Sequence, residues 1–248
     1  MDLLSAAGFS GMEKNGPEML AETLDELDRH NLRLYTIYLE VDLDDRQPYH
    51  GEMDRIFRLL RQHNTMPWFY VTSDRYPPSS EQYDSVAVPI LRELADMAHN
   101  HGLKIMVYPH HNFWVESVED GIRVSRKVKR RNFGFTFNLP HYLAEQGVEA
   151  ETRLKPLAEK AMPYLFAISL NGADRPTREI MKKDYLWDHF INPLGEGEFN
   201  TFNYLETFVD MGFEGPVGLQ CYGIEQDKKV YLEKSMQVWK EYQDMLDN

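Results

Sequence analysis

The sequence predicts an α/β fold, specifically a TIM (β/α)8-type barrel, on three observations. Short apolar runs rich in β-branched and aromatic residues alternate with longer segments of helical period, the pattern of parallel strands joined by helices. That alternation runs through 248 residues with no linker, repeat or low-complexity segment. Four successive strands also place small or polar residues on one face and apolar residues on the other, as where barrel strand ends ring a polar pocket. A doubly wound sheet shares the first feature, but the unbroken rhythm favours the barrel. One domain spanning 1–248 is expected.

Seven strands are readable: 9–15 (FSGMEKN), 32–43 (LRLYTIYLEVDL), 66–74 (MPWFYVTSD), 103–111 (LKIMVYPHH), 133–141 (FGFTFNLPH), 165–173 (LFAISLNGA) and 216–223 (PVGLQCYG). Helices fill the gaps. GPEMLAETLDELDRHN puts Met19, Leu20, Leu24 and Leu27 on one face, and SVAVPILRELADMAHNHG does so with Val88, Leu91, Leu94, Ala95 and Ala98 before a cap at Gly102. The last segment, KKVYLEKSMQVWKEYQDML, is expected to pack Val230, Leu232, Met236, Trp239 and Met245. An eighth strand is not readable. Because DLLSAAG looks like a helix feeding the first readable strand, the missing one is the first, either preceding this sequence or replaced by another closure.

Composition excludes several functions. Apolar residues make up 42% and charged residues 27%, ordinary for a soluble globular chain, and the formal charge of -13 argues against nucleic acid or an anionic membrane as partner. The single cysteine, Cys221, permits neither an intrachain disulfide nor a Cys-based zinc cluster. No apolar run reaches the ~20 residues of a membrane helix and the N-terminus lacks signal-peptide features, so a cytoplasmic location is expected, with a leader ahead of this sequence left open.

Strand side chains alternate faces, so Asn138 inward brings Thr136 and Gly134 inward, and Gln220 brings Gly218 and Tyr222. Ser169 and Asn171 behave alike, as do Tyr108 and His110. Any one polar strand end is an ordinary loop entry; four in succession point to a site. The expected ring holds Glu13, Glu40, Tyr70, Asp74, Tyr108, His110, His111, Asn138, His141, Asn171, Arg175, Gln220 and Tyr222. Hydroxyls, amides and imidazoles suit a carbohydrate, whose hydroxyls both donate and accept.

GLKIMVYPHHNFW, NFGFTFNLPH and, most specifically, LGEGEFNTFNYLETFVDMGFEGPVGLQ resemble the xylose isomerase-like TIM barrels, the superfamily of sugar phosphate isomerases/epimerases and endonuclease IV-type enzymes. In the sugar epimerases of that family, a divalent metal is held by Glu, Asp, His and Glu from four strand ends, and the two Glu move the substrate proton. By position, the resemblance places these at Tyr108, Asn138, Ser169 and Gln220, so none is retained. It retains the family's histidine three residues after the Asp, as His141, and aligns a substrate-contacting Arg with Arg175. Neutral oxygens hold a hard dication poorly, so no metal is expected at the family position; a divalent metal in a rearranged site using His110, His141 and Glu13 is the less favoured alternative.

Amides transfer no protons near neutrality, which leaves His110, His141 and Glu13 as expected catalytic groups. Glu40, Tyr108, His111, Asn138, Asn171, Arg175, Gln220 and Tyr222 are expected to bind substrate. Trp68, Phe69, Phe113 and Trp114 either stack on a sugar or close the core. The run RKVKRRN (126–132) reads as a solvated face, and GEG (195–197) as a turn. The expected function is a sugar or keto-sugar isomerase, epimerase or lyase using proton transfer next to a carbonyl. The alternative is a non-catalytic sugar-binding barrel; endonuclease activity is disfavoured by charge. A homo-oligomer is left open.

Overall fold

In the computed structural model, which describes residues 1–247, all seven expected strands form one sheet in the order β1 to β7, parallel throughout. They are β1 (Gly11–Asn15), β2 (Arg33–Asp42), β3 (Met66–Thr72), β4 (Ile105–Val107), β5 (Phe133–Asn138), β6 (Leu165–Leu170) and β7 (Val217–Leu219). Consecutive strands are neighbours, and the sheet curls into a nearly closed barrel. β1 pairs with β2 and β7 with β6, so among the described residues one seam stays unpaired between β1 and β7. Outside that seam, the short α1 (Asp2–Ala7) packs against the last helix, α10 (Lys228–Leu246).

Every strand after β1 ends earlier than periodicity suggests, so that Asn171 lies past β6 and Gln220 and Tyr222 lie past β7. β4 stops at Val107, so Tyr108 to His111 begin a loop, although the Tyr108 N–H still reaches the Phe69 carbonyl at 2.7 Å. β5 stops at Asn138, and His141 lies in α6 (Leu139–Gln146). Pro140, in the first turn of α6, explains the change: its fixed φ suits a helix start, where its missing N–H costs nothing.

The alternation of faces holds. Phe133, Phe135 and Phe137 are buried toward the helices, while Trp68, Met106, Tyr108 and Ala167 form a separate apolar layer with Tyr38, Met66 and Phe166. Gly134 is required on the inner face of β5, since a Cβ there would lie 2.3 Å from the Tyr164 carbonyl oxygen. The GEG segment is a turn laid against the end of β6, where Gly197 has φ +84° and its Cβ would strike the Ala173 carbonyl.

The helix faces need two corrections. Leu20, Leu24 and Leu27 of α2 (Leu20–Arg29) are buried, but Met19 caps that helix with φ 52° and is exposed. In α10 the buried face holds Tyr231, Leu232, Ser235 and Met236, which leaves Val230 and Met245 in solvent. α4 (Asp84–Asn100) buries all five expected residues. The basic run sits on the surface as expected, Lys127 meeting Glu81 and Arg130 meeting Asp96.

Candidate functional site

Asn138 is the hub of the barrel floor. Only 2% exposed, it accepts hydrogen bonds at Oδ1 from Ser169 Oγ (3.0 Å) and Thr136 Oγ1 (3.2 Å), and its Nδ2 donates to the Pro109 carbonyl (3.3 Å). The amide thus ties β5 to β6 and to the loop after β4. Gln220 is similarly engaged: its Nε2 donates to the Tyr108 hydroxyl at 3.3 Å and its Oε1 accepts the N–H groups of Cys221 and Tyr222. The four positions that the resemblance assigned to metal ligands therefore bond to one another and to the backbone. A phenol, two amides and a hydroxyl, mutually satisfied and without a carboxylate, do not fit a divalent cation.

Above this floor stand two histidines. The His110 and His141 rings are 4.2 Å apart, centroid to centroid, and the residue between them in the arrangement, His111, assigns their tautomers through its backbone. The Nδ1 of His110 faces the His111 carbonyl at 2.8 Å and must donate to it, leaving Nε2 a bare acceptor. The His111 N–H donates to Nδ1 of His141 at 3.3 Å, so the neutral His141 ring carries its proton on Nε2. Burial keeps both neutral: it lowers His110 to about 4, and it holds His141 well below the ordinary imidazole range, with the neighbouring histidines adding to the effect.

Glu13 approaches from the edge strand β1 and couples electrostatically to Tyr38 and Tyr108. Desolvation by the surrounding barrel pushes its carboxyl up to about 8, even though the residue, on an edge strand paired only with β2, is exposed. A cavity of about 620 Å³ is lined by Tyr38, Glu40, Tyr70 and the loops after β1 and β2; Glu13, His110 and His141 are not part of its lining. Glu18, Glu40, Asp42 and Asp45 line it, with no Lys or Arg. Tyr38 and Tyr70 stack at 4.4 Å beside Glu40.

The remaining expected residues divide. His111 stays with the pair, bonded through Nδ1 to Glu145. Asn171 is fully buried on the floor, its Nδ2 bonded to the carbonyls of Gly172 and Phe190 and its Oδ1 without a protein partner. Arg175 pairs with Glu151 at 3.0 Å, Tyr222 is 64% exposed and Asp74 is exposed. Phe69 and Trp114 belong to the core and Trp68 to the apolar layer, whereas Phe113 stacks on His110 at 3.9 Å.

Sequence reasoning missed Trp187. It opens α8 (Trp187–Phe190) within the long connection after β6, and its ring lies 4.9 Å from His141 and 6.2 Å from His110. Periodicity gives no signal for such a residue, because its connection has no repeat. Glu116 and Glu145 were missed for a related reason: they read as ordinary charged positions of a loop and a helix.

Seven parallel strands in sequential order, with polar groups gathered at their C-terminal ends, define the class: an α/β barrel. The chain matches the family described as "Xylose isomerase-like TIM barrel" over residues 1–242, and it belongs to that family. Comparison with curated protein sequences finds no match. Among solved structures, a probable 3-DHS dehydratase, AsbF, from Bacillus anthracis is similar with TM-score 0.74 and 14% identity, covering 96% of this chain and 91% of that one. A Methylomonas sp. D-allulose 3-epimerase in complex with D-allulose gives 0.71 and 16%, covering 97% and 89%. A xylose isomerase-like TIM barrel protein from Mycobacterium smegmatis, in complex with magnesium, gives 0.71 and 14%, covering 98% and 87%. At these identities the likeness speaks for the fold.

Proposed function

We propose that this chain, acting as one domain, is a carbohydrate-modifying enzyme that moves a proton next to the carbonyl of a keto-sugar without a metal at the family position. The observation behind this reading is the complementary protonation of His110 and His141: a bare Nε2 beside an Nε2–H. His141 would donate to the substrate carbonyl oxygen, as a neutral imidazole held below its usual pKa can do. The bare Nε2 of His110 would take the proton from the adjacent carbon, and Glu13, protonated below about pH 8, would return one from the β1 side. Isomerisation, epimerisation and β-elimination all begin with this enolisation.

Substrate binding falls to the Tyr108 hydroxyl and the Glu40 carboxylate, with Phe113 and Trp187 offering aromatic faces. Hydrogen bonds within the protein give Asn138 and Gln220 the task of holding the floor. The acidic cavity suits an uncharged sugar and repels a phosphate. The net charge of -13 disfavours nucleic acid, and no helix is long and apolar enough to cross a membrane.

A non-catalytic sugar-binding barrel is the second reading, favoured by one observation: a group lowered to about 4 is a weak base. Incubating the protein with keto-sugars in D2O separates the two. Deuterium entering the carbon next to the carbonyl, and its loss in His110→Ala and His141→Ala, supports the enzyme. Saturable sugar binding with no exchange supports the binding barrel.

A further inference from the structure

We infer that His111, Glu116 and Glu145 form a divalent-cation site on the rim of the barrel mouth, separate from the family position. Two elements bring them together: the loop after β4 supplies His111 and Glu116, and the last turn of α6 supplies Glu145. One ligand atom from each, an imidazole nitrogen and two carboxylate oxygens, lies within 4.8 Å of the other two. The Nδ1 of His111 is the shared centre, bonded to Glu145 and 4.0 Å from Glu116 Oε1.

Charge is the stronger argument. Neither carboxylate forms an ion pair with a lysine or arginine among the described residues; the one cationic partner of each is the His111 imidazole. A plain His–Glu clamp would need only Glu145, yet Glu116 is half-buried beside it and the two carboxylates repel. Glu116 is also held in place from outside, accepting the Asn112 N–H at 2.9 Å, as second-layer partners orient metal ligands. A dication supplies the missing charge.

The ligand set narrows the ion. One imidazole and two carboxylates suit Zn2+, Mn2+ or Co2+ at bond lengths of about 2.0–2.2 Å, which small side-chain rotations reach from the observed spacing. Three protein ligands leave a position for water or a sugar oxygen. All three side chains keep some solvent contact, which gives the ion a way in. The site also touches the histidine pair, because the N–H of His111 is the donor to His141.

The test uses tag-free protein titrated with Mn2+ alone and with Zn2+ alone, followed by calorimetry and, for Mn2+, by electron paramagnetic resonance. One ion per chain is expected. Glu116→Gln and Glu145→Gln should each weaken binding at least tenfold, while Ser169→Ala, at the family position, should leave it unchanged; circular dichroism checks that each variant folds. In the unmodified protein, Mn2+ should broaden the imidazole resonances of His111 before those of distant His63, a readout needing no substitution. No saturable binding by about 1 mM of either ion, survival of binding in both Gln variants, or its loss in Ser169→Ala overturns the proposal.

Discussion

His110 and His141 face each other at 4.2 Å with opposite hydrogen-bonding capacities, because one backbone unit, that of His111, accepts from the first and donates to the second. The arrangement sets a donor beside an acceptor without requiring either ring to be charged.

Acid inactivation should therefore come late. An ordinary histidine base would lose activity below about pH 6.5, whereas the proton-exchange rate here should hold until the pH approaches about 4, where His110 is protonated. Stability follows the same group. Its folded pKa is depressed, so the unfolded chain binds the proton more readily; the contribution is complete above the ordinary value of 6.5 and is lost as pH falls through about 4. Exchange rate and melting temperature measured from pH 4 to 8 check both. An exchange limb centred at 6.5 would contradict the assignment.

Glu13 runs in the opposite direction. Its carboxyl is raised from 4.5 to about 8, so the folded state binds the proton more readily and its contribution, complete below 4.5, fades as pH rises through about 8. Glu13→Gln cannot ionise and should be less sensitive to alkali than the parent. Its melting temperature relative to the parent should rise between pH 5 and pH 8. The solvent contact of Glu13 makes the rise modest.

Removing the floor's hub should be costly. Asn138→Ala strands two hydroxyls and the Pro109 carbonyl, at about 1–3 kcal/mol, which for a chain of this size lowers the melting temperature by about 3–10 °C. Asn138→Asp should cost at least as much, since a carboxylate oxygen then faces that carbonyl. Added Mn2+ should raise the melting temperature of Asn138→Asp by no more than it raises that of the parent, because Tyr108, Ser169 and Gln220 remain neutral. Thermal melts with and without the ion decide this.

The cavity predicts discrimination by charge. A neutral keto-sugar should bind at least tenfold tighter than its phosphate, with the gap narrowing at high salt and in Glu40→Gln. Equal affinities for the two would remove the argument from its acidic lining.

Trp187 offers an optical reading of the site. Sugar binding beside it should change the tryptophan emission, and Trp187→Phe should lose that change while keeping the fold, since the ring is only partly buried. Trp187→Ala should weaken sugar binding about tenfold through lost stacking.

Strand order, facing and the neutralised family position were legible in the sequence, because a period of two fixes which side chains share a face and the LGEGE turn fixes the end of the barrel. His110 and His141 were singled out in the sequence as well, and the structure sets their rings 4.2 Å apart; proton transfer by them belongs to the proposal. What sequence could not supply was direction and company. That the amides of Asn138 and Gln220 turn into the protein, that Arg175 leaves for Glu151, and that α10 rotates Val230 and Met245 into solvent depend on neighbours distant in the chain. The tautomers of the histidine pair are of this kind too: imidazole nitrogens take their roles from whichever backbone group lies opposite. Gathering His111, Glu116 and Glu145 likewise needed a loop and a helix to converge, since residues 34 apart share no local period. Local physics set the barrel; long-range contacts decided which polar groups serve the scaffold and which remain free to act.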